Sequence, residues 1–150
     1  MKITIVHGQN HKGSTPAITR EPAEKIGGKI TEFFLPRDFA QPCLGCYTCF
    51  QKDLTHCPHF AKLQPLSDAL LAADIILPDS PVYVCHATGQ MMSFLDHFGT
   101  WWTGAPPAPR NVRQAGGCHL HGGGRRHEKH LPRYGRQPGN VGRVSLTGGI

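Results

Sequence analysis

The sequence predicts an α/β domain built on a doubly wound parallel sheet. Three observations predict it. Lys2–His7 alternates in polarity and carries the β-branched residues Ile3, Ile5 and Val6, which suits a strand. The short apolar run Ile75-Ile76-Leu77 has the pattern of a parallel strand buried on both faces. Around these strands lie segments with helical spacing, so strand and helix alternate along the chain.

The first strand, Lys2–His7, runs into a polar loop, Gly8-Gln9-Asn10-His11-Lys12-Gly13-Ser14-Thr15. Ser14 or Thr15 can N-cap a helix whose first residue is Pro16. That helix is expected to reach about Ile26 and stop at Gly27-Gly28. Pro22 falls inside it, and an interior proline costs about 3 kcal/mol and breaks or kinks a helix. Ile30–Leu35 is the second strand. Pro36 to about Phe60 reads as one long loop, and a loop of that length in a compact domain usually carries function. Leu63, Leu66, Leu70 and Ala73 recur at helical spacing. Asp74–Asp79 is the third strand, in which Pro78 cannot donate to a ladder. Ser80–Gly89 is a loop. Gln90–Phe98 is an amphipathic helix with Met92, Phe94, Leu95 and Phe98.

The long loop holds Cys43, Cys46, Cys49 and Cys57, spaced Cys-x2-Cys-x2-Cys-x7-Cys and followed by Pro58. Two-residue gaps let successive thiolates turn toward one ion or cluster. The run resembles the way bacterial ferredoxins ligate a [4Fe–4S] cluster, although there the fourth cysteine serves the other cluster. A structural zinc site more often uses two separated pairs, and no second Cys-x2-Cys occurs here. Each thiolate needs nearby positive charge or metal to stay ionised, and Lys52 is the one Lys or Arg in the window. Cys85 and Cys118 have no partner at ligand spacing.

A chain of 150 residues is enough for one domain with a core. No segment approaches the roughly 18 apolar residues of a membrane span. The start reads as a strand rather than as a charged region and apolar run, so no secretory signal is expected. Six cysteines in such a chain favour a reducing, cytoplasmic setting with metal or redox roles over disulfides.

The net charge of +6 hides an asymmetry. Residues 1–102 hold 8 Lys/Arg and 9 Asp/Glu, a net of −1, whereas residues 103–150 hold 8 and 1, a net of +7. The last third also holds 11 of the 18 Gly and 5 of the 13 Pro, and no Phe or Trp. No apolar periodicity runs through it. One reading is a basic arm for nucleic acid. The preferred reading is that an excess of Gly, Arg, Pro and His is what a GC-rich gene yields when read out of frame. Residues 103–150 are then expected to be frameshifted or otherwise foreign to the fold, leaving 1–102 as a partial domain.

Three places in residues 1–100 resemble the flavodoxin-like NAD(P)H-dependent FMN reductases, and among them the iron–sulfur flavoproteins. The loop Gly8–Thr15 resembles the family's phosphate loop, with Gln9 and His11 where Ser and Arg are usual. Ser80-Pro81-Val82-Tyr83 resembles the segment that cradles the isoalloxazine, and Phe94-Leu95-Asp96-His97 resembles a helix that ends Phe-Leu-Asp-Arg in the family. The cysteine run is similar to that of the iron–sulfur members.

The resemblance implies a flavodoxin-like sheet in which strands 2-1-3 are recognisable and strands four and five are missing. A third flavin-contacting loop, expected after strand four, is missing with them, so the chain as it stands is expected to bind FMN weakly or not at all. It implies FMN held by Gln9, His11, Ser14, Thr15, Ser80, Pro81, Val82 and Tyr83, a [4Fe–4S] cluster on Cys43, Cys46, Cys49 and Cys57, and NAD(P)H as electron donor. Electrons would pass through the flavin to a small acceptor or to the adjacent cluster. The implied assembly is a homodimer or homotetramer, with no membrane and no nucleic acid as partner. Two alternatives stand beside it. One is a cluster-free NAD(P)H:FMN or quinone reductase with redox thiols. The other is a non-enzymatic nucleic-acid binder acting through the basic tail.

Overall fold

The computed structural model describes residues 1–103, 115–116 and 119–121. The strands are β1 (Lys2–His7), β2 (Lys29–Phe34), β3 (Ile75–Pro81) and the short β4 (Ala115–Gly116) and β5 (His119–His121). The helices are α1 (Ser14–Ile26), α2 (Thr48–Gln51), α3 (Phe60–Leu71), α4 (Gly89–Leu95) and α5 (Gly99–Thr103), with 3-10 turns at Leu54–His56 and Asp96–Phe98.

β1 is the central strand. It pairs in parallel with β2 on one side and with β3 on the other, giving the expected order 2-1-3. Its side chains alternate between two cores, as a strand's pleat requires. Ile3 and Ile5 pack with Ala23 of α1. Val6 joins Leu63, Leu66 and Leu70 of α3 and Met91 and Phe94 of α4 on the opposite face. One helix therefore covers one face and two cover the other, which is the doubly wound arrangement.

Full strands four and five are absent among the described residues, but the far side of β3 is not the bare apolar edge that the sequence suggests. Ala115–Gly116 pairs with Ile75–Ile76, and His119–His121 pairs with Asp79–Pro81. The described pairing skips Leu77 and Pro78. The Asp79 carbonyl accepts from the Gly8 amide on the β1 side at 2.7 Å, so the alternate residue Pro78 turns its missing N–H away from β1, toward this gap. The rest of the Gly/Arg/Pro/His-rich segment, with Cys118 and the expected place of a third flavin loop, lies outside the described residues.

Two local expectations, the N-cap of α1 and the long loop, are corrected, and the reach of α1 to Ile26 is met. The N-cap of α1 is Gly13 rather than Ser14 or Thr15, which instead fill the first turn, and no side chain caps it. Pro22 does not end α1: the helix continues to Ile26, because Thr15, Pro16, Thr19 and Ala23 bury one face while Pro22 faces solvent. Residues 36–60 are not one loop. They contain α2 and a 3-10 turn that Asp53 caps by accepting from the Thr55 amide at 2.8 Å.

Candidate functional site

The carboxyl ends of β1 and β3 lie side by side, and both following loops start there. Gly8 opens one loop and Ser80 the other. Thr88, fully buried, ties them together: its hydroxyl donates to the Gly8 carbonyl at 2.5 Å and accepts from the Met91 amide at 3.2 Å. Its own amide donates to the Ser80 hydroxyl at 2.8 Å, and that hydroxyl donates to the Pro81 carbonyl at 2.9 Å. Only glycine fits at position 8, since a Cβ there would lie 2.9 Å from Thr88 Oγ1 and 3.0 Å from both the Asp79 carbonyl oxygen and Ser80 Oγ.

Beneath this junction lies a fully buried pair. His7 Nδ1 is 2.7 Å from Asp79 Oδ2. These two residues are also register partners across β1 and β3. The His7 ring stacks on Phe34 at 4.2 Å between centroids, and Arg37 lies 4.9 Å over the same Phe34 ring.

In the first loop, Gln9 is half-buried, His11 and Ser14 are exposed, and Thr15 is buried. The His11 ring folds over Gly13, where a Cβ would come within 2.8 Å of it. The first amides of α1 have no helical partner, and no side chain caps them; such an end attracts anions. Lys12, Arg20 and Arg37 line an adjoining cleft of about 380 Å³ together with Glu32, which adds positive charge beside that helix end.

In the second loop, Ser80 is buried and committed to the network above, so its hydroxyl positions the loop. Pro81 is half-buried, and Val82 and Tyr83 are exposed. Tyr83 and His86 exchange two backbone hydrogen bonds, at 2.9 and 3.1 Å, around Val84 and Cys85. Both turn residues have positive φ, 50° and 65°. That is the turn type which favours Asn-Gly, and a β-branched residue there is strained.

The four loop cysteines do not converge as one ligand group: among the described residues, the group of three or more whose ligand atoms lie within 4.8 Å of one another is Cys57 with His59 and His97. Cys43 and Cys46 are exposed; Cys49 and Cys57 are half-buried. The Thr48 hydroxyl donates to Cys46 Sγ at 3.3 Å and lowers the Cys46 pKa. Burial pushes the Cys49 thiol up, and the thiolate charges of Cys43, Cys57 and Cys46 push it the same way.

Sequence reasoning missed Thr88, His7, Asp79 and His97, and left His59 among several loop histidines that could be ligands. Thr88 and the His7–Asp79 pair carry no motif, although His7 and Asp79 each stand at the strand end where ligands bind. His59 and His97 converge with Cys57, and their ligand atoms all lie within 4.8 Å of one another. The signal for His97 was its place in Phe-Leu-Asp-His, where the resembling family has Arg.

Comparison with known proteins decides the family. The sequence matches the NADPH-dependent FMN reductase family over residues 1–133. The chain belongs to that family. The match runs past residue 102, where composition had placed a boundary. Among solved structures the chain is similar to a flavone reductase, at 22% identity and a TM-score of 0.55, covering 82% of this chain and 44% of that one. It is also similar to the apo form of an NADH:FMN oxidoreductase, at 21% identity and a TM-score of 0.48, covering 82% of this chain and 59% of that one. The chain therefore spans well under two thirds of the length of either. A search of curated proteins finds no match. The flavone reductase likeness supports the flavodoxin-like fold read from the strand order.

Proposed function

We propose that the chain is the FMN-binding part of an NAD(P)H-dependent oxidoreductase that passes electrons to a small acceptor. The observation that carries this reading is the junction of Gly8, Ser80 and Thr88. It fixes a helix N-terminus and an exposed hairpin beside each other at the carboxyl ends of adjacent parallel strands, where open α/β sheets bind their ligands.

FMN fits this junction. Its phosphate would lie at the amides of Ser14, Thr15 and Ala17, with the Ser14 hydroxyl, Gln9 and His11 around it; Pro16 supplies no donor there. Its ring would lie on Pro81, Val82 and Tyr83. Bound there, FMN supplies the two-electron chemistry, and the protein supplies position and electrostatics. Ser80 holds the hairpin. A cleft of about 370 Å³ lined by Phe39, Gln41, Gly89, Gln90 and Phe94 is the proposed place for the acceptor. Gln41 Oε1 is buried there without a partner among the described residues and would accept a hydrogen bond from a polar group.

The thiol loop supports a second reading, a [4Fe–4S] cluster on Cys43, Cys46, Cys49 and Cys57. The favouring observation is their spacing, Cys-x2-Cys-x2-Cys-x7-Cys. Uptake of iron and sulfide by the wild type but not by a Cys43→Ser, Cys46→Ser double variant would establish it. Equal uptake by both would leave the loop to redox thiols. Val84 at the hairpin tip is 89% exposed and Tyr47 in the thiol loop 66% exposed, which supports a homodimer or homotetramer that covers them. No helix among the described residues is long and apolar enough to cross a membrane. The six cysteines favour the cytoplasm as the place of work.

The main reading is tested by adding NADPH or NADH anaerobically to the chain with FMN. Loss of the oxidised flavin's visible absorption is expected. No loss with either nucleotide, under conditions where FMN is bound, would contradict it.

A further inference from the structure

A second group of ligand atoms lies where the start of α3 meets the 3-10 turn that follows α4, and the flavin reading does not use it. Cys57 Sγ and ring nitrogens of His59 and His97 all lie within 4.8 Å of one another. We propose that Cys57, His59 and His97 bind a single divalent transition-metal ion, zinc foremost, with one coordination position left open.

The distances match the ion. Zinc takes nitrogen at about 2.0–2.1 Å and sulfur at about 2.3 Å in a tetrahedron. Two nitrogens on such a tetrahedron stand about 3.4 Å apart, by the same bond lengths. His59 Nδ1 and His97 Nε2 are 3.4 Å apart. Cys57 Sγ lies within 4.8 Å of both nitrogens, against an S–N edge of about 3.6 Å on such a tetrahedron by the same bond lengths.

The tautomer of His97 is already set for metal. Its Nδ1 lies 2.9 Å from the Ser93 carbonyl, which can only accept. Nδ1 therefore carries the proton and Nε2 presents a bare lone pair toward His59. A ligating histidine held through its other nitrogen by a carbonyl is the usual supporting arrangement at metal sites. His97 is also 2% exposed, and its ring packs edge-on against Phe39 at 5.0 Å, so it does not swing away.

The other two ligands sit on fixed backbone. The Cys57 amide donates to the Leu54 carbonyl at 3.0 Å, and the Cys57 carbonyl accepts from Phe60 at 2.9 Å. His59 between them is the N-cap of α3. One thiolate with two imidazoles is a borderline-soft set that suits zinc, and cobalt as its spectroscopic stand-in. A metal ion here and a four-cysteine cluster exclude each other, because both need Cys57. The proposal does not depend on flavin binding, and its test does not read flavin.

The test is titration of the metal-free full chain with Co2+, followed by competition with Zn2+. One Co2+ per chain is expected, with tetrahedral visible bands and a thiolate charge-transfer band, all displaced by zinc. Cys57→Ser should abolish the charge-transfer band. His59→Ala should keep it and weaken affinity about 10–100-fold or more, the loss seen even when only a supporting partner is removed. Cys43→Ser and Cys46→Ser should change nothing. If His59→Ala does not fold, 15N shifts of the two histidine rings in the wild type provide the same test: zinc should move His59 Nδ1 and His97 Nε2. Lack of uptake, uptake lost in Cys43→Ser, or unmoved ring nitrogens would overturn the proposal.

Discussion

Replacing Thr88 by Val tests whether one hydroxyl holds the two loops together. Valine keeps the shape and removes the oxygen. Two partners are then lost: the Gly8 carbonyl, which accepts from Oγ1 at 2.5 Å, and the Met91 amide, which donates to it at 3.2 Å. Gly8 and Thr88 are both buried, so water cannot replace the lost group. Loss of an N-cap side chain costs about 0.5–2 kcal/mol. An orphaned buried carbonyl costs about 1–3 kcal/mol. The sum is about 1.5–5 kcal/mol, with a middle value of about 3. α4 has only seven residues and cannot compensate by its own helical stability. At that middle value, and with a mid-range urea dependence of roughly 2 kcal/mol per molar, the unfolding midpoint should fall by about 1.5 M. Thr88→Ser keeps the oxygen and should recover most of the loss. Equilibrium urea unfolding of the wild type and both variants is the assay. A valine variant within about 0.5 kcal/mol of the wild type, inside ordinary surface-mutation scatter, would refute the reasoning, and so would a serine variant as damaged as valine.

Three further outcomes follow from the same geometry. Val84→Asn with Cys85→Gly puts residues suited to positive φ into the hairpin turn and should raise stability by about 1 kcal/mol, read by thermal unfolding. Cys46, exposed and with a lowered pKa, should be the first loop thiol alkylated by iodoacetamide, and Cys49, half-buried with a raised pKa, the last; peptide mass spectrometry reads the order. Burial first, then the neighbouring His59, lowers the His97 pKa below its ordinary value of 6.5. The folded state then binds fewer protons there than the unfolded chain, so this contribution to stability is full above pH 6.5 and is lost as pH falls below it; denaturation at a series of pH values should show the decline, and His97→Gln should flatten it.

Much of the fold was legible because β1 and β3 announce themselves by composition. β-Branched alternation and an Ile-Ile-Leu run each suit one kind of strand, and the helical spacing of Leu63, Leu66 and Leu70 survives intact. The two prolines stay inside the expected helix and strand because tertiary packing overrides local cost. Pro22 faces solvent on a helix whose other face is buried, and Pro78 turns its missing donor toward a gap in the pairing. The N-cap was misplaced by one residue because Gly13, without a side-chain cap, left Ser14 and Thr15 free for the first turn. Of the candidate site, the two loops were legible by motif. Thr88 was not, because a threonine before a helix looks alike whether it caps only its own helix or also ties two loops together. Ser80 was read as touching a cofactor, and the structure adds a second role, since its hydroxyl bonds the Thr88 amide and the Pro81 carbonyl. His59 and His97 are 38 positions apart, and nothing in a sequence brings such a pair together until α3 and α4 pack on the same face of the sheet.

The central claim is that the helix end after Gly8 and the hairpin after Ser80 form one FMN site. Equilibrium dialysis of the full chain against FMN and against riboflavin tests it most directly, because the two ligands share the ring and differ in the phosphate. The account predicts FMN binding that is at least about tenfold tighter than riboflavin binding, a difference of about 1.4 kcal/mol for an anion at a helix N-terminus with Lys12 beside it. No detectable FMN binding, or equal affinity for the two flavins, would contradict it.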